Sequence, residues 1–208
     1  MFQQLQSLAA LAAASVFLTA SPLAAAPDAD DSVTFNLVVS AGAKVCLPGA
    51  SGKVTIKPHG PVEVMEVSVE GLPPNAEFDL FVIQVPKAPF GVSWYQGDIV
   101  TDKNGKGHER FIGRFSIETF AVAVGSAPAP SVFNGPFPDA TLNPPFNPIQ
   151  MYHLGLWFGS PEAARTAGCP ATITPFNGEH NAGIQVLNTS NFPDDAGPLR
   201  KVNPSGVK

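Results

Sequence analysis

Four histidines, a run of carboxylates and an adjacent aromatic pair are the parts of this 208-residue chain that could do chemistry. His59, His108, His153 and His180 lie in different segments and never at metal-ligand spacing, so any metal centre must be assembled by the fold. The trio for such a centre is His108, His153 and His180, with Glu109 or Glu179 beside them as a carboxylate ligand. Four surface or loop histidines are the simpler account. Asp98, Asp102 and Asn104 ahead of Gly105 suggest a calcium loop, because hard cations want several oxygens on a tight turn. The distal Glu of that pattern is missing, and a plain hairpin turn explains the run. Glu63, Glu66, Glu70, Glu77 and Asp79 cluster in sequence as acid–base catalysts would, but the solvated face of a strand accounts for them more simply.

Trp94 and Tyr95, with Phe90 and Trp157, form the best candidate for a binding surface. Aromatic rings stack on sugars or anchor protein partners, although tryptophans in a domain of this size commonly sit in the core. Other mechanisms lack their parts. Gly91-Val92-Ser93-Trp94-Tyr95 does not complete a nucleophile elbow. There is no phosphate loop, dinucleotide fingerprint or His-Glu-x-x-His. No His follows Cys46 or Cys169 closely enough for a copper cup. Nothing calls for a cofactor. A net charge of −5 with no basic cluster excludes a nucleic-acid surface.

The elements that must position these residues read as strands. Twenty-two prolines and nineteen glycines favour short strands and turns over helices. Val33, Phe35, Leu37 and Val39 alternate with polar residues, as do Val54 and Ile56. Val62 and Val64 have the opposite parity to Val67 and Val69, which predicts a β-bulge at Met65-Glu66. Phe78 to Val85 is apolar on both parities and reads as a central strand covered on both faces. Asn104-Gly105 suits a hairpin. Leu154, Leu156 and Phe158 alternate with His153, Gly155 and Trp157. Ser160-Pro161-Glu162, with Gly168 as a stop, opens one short helix over 160–167.

About nine strands with turn signals every eight to twelve residues predict an all-β fold, an antiparallel β-sandwich of immunoglobulin-like or jelly-roll type. A closed barrel is the second choice. The domain is expected to span 32–190, after a linker at 27–31 and before a flexible tail at 191–208. Seven prolines between Gly125 and Gln150 mark a long covering loop, assigned to 126–150.

Residues 1–26 have the layout of a secretory signal peptide, with an apolar run from Leu8 to Leu18 and small residues after it. Export would place the protein outside the cell, in the periplasm or in the envelope, with no membrane-spanning segment left. An oxidising compartment would pair Cys46 with Cys169. Asn188-Thr189-Ser190 is an N-glycosylation sequon. The function expected is a non-catalytic, exported domain that is structural or binds a protein or glycan ligand. The alternative is an exported metal-dependent enzyme or metal-binding protein built on the three histidines.

Overall fold

A computed structural model describes residues 31–121, 148–175 and 181–204. The expected leader, most of the Pro-rich stretch, Glu179 and His180 lie outside the described residues. Among the described residues ten strands form: β1 (Val33–Val39), β2 (Ser51–His59), β3 (Val62–Glu70), β4 (Glu77–Ile83), β5 (Ser93–Val100), β6 (Gly107–Gly113), β7 (Phe120–Ala121), β8 (Ile149–Gln150), β9 (His153–Phe158) and β10 (Gln185–Asn188). The helix α1 (Pro161–Thr166) starts where the sequence predicts. Ser160 accepts the Ala163 N–H as N-cap, and Pro161 occupies the first turn.

Eight strands make one antiparallel sheet in the order β5-β4-β9-β10-β1-β2-β3-β6, and β7 pairs with β8 separately. β1 joins two halves, because its first five residues pair with β2 and its last two with β10. The sheet curls until its edge strands β5 and β6 touch, which makes it nearly closed. Glycines allow that approach: a Cβ at Gly97 would lie 2.8 Å from the Phe111 ring, and one at Gly107 2.8 Å from Ile99. The curl encloses a core that includes Phe35, Leu37, Val54, Ile56, Phe78, Leu80, Leu154, Leu156 and Phe158.

β3 corrects the expected bulge. Its pairing with β2 runs unbroken from Ser51↔Glu70 to His59↔Val62, and its pairing with β6 is equally regular. Met65, Val67 and Val69 are buried, so Glu63 shares their parity and is itself fully buried. The strand tolerates this carboxylate because it accepts the Phe115 N–H at 2.8 Å and lies 3.8 Å from the Arg114 guanidinium. Register breaks fall elsewhere, at Leu80/Phe81 between β4 and β5 and at Gln185/Leu187 between β10 and β9.

The expected flexible tail is also corrected. From 191 to 204 the chain packs on the body: Phe192 meets Phe35 edge-on at 6.0 Å, Leu199 and Val202 are fully buried, and the Val202 carbonyl accepts the Ile117 N–H. Cys46 and Cys169 form a disulfide with Cα atoms 5.2 Å apart, tying the β1–β2 connection to the end of α1.

Candidate functional site

Adjacent residues on a strand point to opposite faces, and β5 separates Trp94 from Tyr95 on that rule. Trp94 pairs with Val82 and packs against the main core. Tyr95 pairs with Phe81 on the outer face, where it is 43% exposed. A ladder of rings crosses that face, with Phe90–Trp157 centroids 5.1 Å apart, Trp157–Phe81 5.2 Å and Phe81–Tyr95 5.7 Å. Three of the four aromatic candidates therefore meet, joined by Phe81. Most of this surface is packed against itself. Trp157 is buried in a second cluster with Ile83 and Ala182, and Phe90 and Phe81 are half-buried against it. Gly155 makes the space for Trp157, since a Cβ there would strike the indole ring.

Beside Tyr95 lie Glu77, Asp79 and Asp98, each offering an oxygen within 4.8 Å of the others. Asp79 is fully buried, which corrects its placement on a solvated face; Glu63 is the other exception, whereas Glu66, Glu70 and Glu77 are exposed. The Tyr95 hydroxyl donates to Asp98 at 2.6 Å. Partial burial, then that bond and the surrounding negative charge hold the Tyr95 phenol well above its usual range.

Of the three described histidines, His153 and His108 are hydrogen-bonded and His59 is exposed, so the expected trio with His180 is not assembled among the described residues. His153 is buried, with Nε2 3.1 Å from the Asp194 carbonyl and Nδ1 2.8 Å from the Thr189 hydroxyl. A carbonyl only accepts, so Nε2 carries the proton and neutral Nδ1 accepts from Thr189. Neither nitrogen is left for a metal. His108 lies on β6 and shares a 3.0 Å bond with Ser68, while His59 is exposed at the end of β2. Burial lowers the His153 pKa, outweighing the carbonyl and the charge of Asp194. The unfolded chain then binds the extra proton, so this group's stabilisation is complete above the ordinary value of 6.5 and erodes as pH falls below it. Urea midpoints should accordingly drop on acidification through that value, with His153 still neutral by NMR. Titration of folded His153 at or above 6.5 would contradict this.

Asp102 closes the expected hairpin turn. Its carboxylate accepts the N–H groups of Asn104 and Lys106 at 2.7 and 3.0 Å. The Lys106 bond, then the Asn104 bond, lower its pKa. The sequon is closed as well: Asn188 is buried and its Nδ2 donates to Pro86 and Gln185.

A groove of about 1330 Å³ lies on the outside of the β1-β2-β3-β6 half. Strand register builds its floor. Asn36 pairs with Lys53, Lys53 with Ser68 and Ser68 with His108, giving one row of polar side chains across four strands. At the usual strand spacing that row is about 14 Å long. Thr34, Thr55, Glu66 and Arg110 form a parallel row beside it. Turns supply the walls: Lys44 and Pro48, Asp102 and Lys106, and Ser190-Asn191. These walls are held. Asn191 donates to the Asn36 carbonyl, the disulfide anchors the turn of Lys44 and Pro48, and Asp102 caps its own turn. Gly105 is needed there, with φ +71° and the Leu72 carbonyl where a Cβ would stand.

The groove has no signature in the sequence, because Asn36, Lys53 and Ser68 are unremarkable until the register aligns them. A nearly closed antiparallel all-β domain with a disulfide and a polar surface groove is the class that fold and surface define. Compared with known families, curated proteins and solved structures, the chain has no significant match.

Proposed function

We propose that this protein is an exported, non-catalytic glycan-binding domain and that the groove across β1, β2, β3 and β6 is its binding surface. The two halves of the curled sheet act as the packed layers of a sandwich, and the groove lies on the outside of one. The observation that carries the reading is the four-strand row Asn36–Lys53–Ser68–His108. Its amide, ammonium, hydroxyl and imidazole groups supply the donors and acceptors that sugar hydroxyls need, on rigid strands that limit the entropy lost on binding.

The groove's carboxylates are occupied in ways that suit binding better than turnover. Asp102 is held as a carboxylate by the turn, and Glu70 is exposed and 3.6 Å from Lys106. Glycoside hydrolysis needs one carboxyl with a raised pKa to protonate the leaving group. Export is supported by the disulfide, and among the described residues no helix is long and apolar enough to cross a membrane.

The test is retention on polysaccharide matrices, comparing the native protein with Ser68→Trp. Ser68 is exposed, so the added indole fills the groove without entering the core. Retention of the native protein, its loss in a folded Ser68→Trp variant, and no release of reducing ends are expected. Passage through every matrix, or release of new reducing ends, would overturn the proposal.

A further inference from the structure

The groove carries a charge pattern that narrows the ligand. Lys44 stands on its wall and Lys53 in its floor, both exposed. Lys87, Lys106, Arg114 and Arg165 form ion pairs. Among the described residues, Lys44 and Lys53 have no such partner. The two acidic residues of the groove are already engaged, Glu70 with Lys106 and Asp102 with its turn. A chain with net charge −5 thus presents two uncompensated ammonium groups where its polar side chains are best aligned.

We infer that the groove selects an anionic oligosaccharide whose charges are spaced carboxylates, of the uronate kind; this rests on the glycan-binding reading above. Each ammonium offers a charge-assisted bond to a carboxylate, and Asn36, Ser68 and His108, which line the same groove, suit sugar hydroxyls. Densely sulfated chains fit less well. They need contiguous Lys and Arg, whereas here the neighbours of Lys53 in its row are the uncharged Asn36 and Ser68.

Calorimetry with short oligogalacturonates and with neutral cello-oligosaccharides of equal length tests this directly. The native protein should bind the acidic chains at least about tenfold more tightly, a gap of roughly 1.4 kcal/mol. The gap should shrink as salt is added. Lys53→Gln and Lys44→Gln should each remove most of it, while Lys87→Gln, exposed on the β4–β5 connection and outside the groove, should leave it unchanged. Equal or tighter binding of the neutral chains would overturn the inference and leave the glycan reading standing. Tighter binding of a heparin-type sulfated oligosaccharide would also overturn it. Binding of none of these would remove both.

Discussion

Replacing both cysteines, in a Cys46→Ser/Cys169→Ser variant, is expected to lower the free energy of unfolding by about 3–5 kcal/mol. The sulfurs are 123 residues apart in sequence. For a closed loop of that size the chain-entropy relation gives about 5 kcal/mol, from which strain and residual structure in the denatured chain subtract. That is a large share of the 5–15 kcal/mol by which domains are ordinarily stable. The loss should reach the groove as well. Cys46 follows Lys44 and precedes Pro48, both wall residues, and its link to Cys169 holds this turn against the body. Equilibrium denaturation by urea, with and without reductant, gives the first quantity. Glycan retention under native conditions gives the second. A double variant as stable as the native protein would show that burial around Cys169 holds the β1–β2 connection unaided.

Trp157→Ala is expected to cost about 3–5 kcal/mol, the usual range for deleting a buried large aromatic side chain. Trp157 is only 3% exposed and takes edge contacts from both Phe81 and Phe90. Its removal leaves those two rings facing a void. Phe90 should suffer most, because its φ of 58° is unusual for a bulky residue and its ring packs on the indole. Trp157→Phe should cost far less. The indole Nε1 is buried without a hydrogen-bond acceptor among the described residues, so losing that N–H leaves nothing unsatisfied. Paired unfolding curves for the two variants check this ordering. Similar losses for Ala and Phe would mean that the ladder depends on the indole itself and not on filled volume. Neither variant should alter glycan binding, since the ring ladder lies on the β4–β9 face and the groove on the β1-β2-β3-β6 half.

Local patterns carried much of the fold. The alternation in β9 puts Leu154, Leu156 and Phe158 into the core and His153, Gly155 and Trp157 on the other face, as sequence spacing alone predicts. Ser160, Pro161 and Gly168 delimited α1 because caps are local chemistry. Two cysteines leave a single intramolecular pairing. What was hidden depended on distant partners. The β3 sequence VEVMEVSVE admits two parities, and choosing between them requires knowing that Arg114 and the Phe115 N–H, about 50 residues on, receive Glu63. Leu199 and Val202 are sparse apolar residues among Pro, Gly and Lys, with no periodicity to reveal that they are buried. The closure of β5 onto β6, which distinguishes the curled sheet from two separate layers, leaves only small residues, Gly97 and Gly107, as its trace.

The candidate site was less legible than the fold. Aromatic rings suggest a stacking surface, yet the pleat sends Trp94 inward and packing covers Trp157. The adjacency of Trp94 and Tyr95 was itself the readable signal that they serve opposite faces. Asn36, Lys53, Ser68 and His108 come from four strands separated by turns of different length. Only inter-strand register, which the sequence does not specify for a sheet of unknown order, sets them in one row.

The central claim is that ligand lies in this row, and amide chemical-shift mapping during a titration with short oligogalacturonates tests it most directly. The predicted result is a contiguous set of perturbed amides centred on Asn36, Lys53, Ser68 and His108, extending to the Lys44 and Lys106 turns and sparing β4 and β9. Perturbations centred instead on Phe90, Tyr95 and Trp157, with the β1-β2-β3-β6 face unchanged, would contradict it.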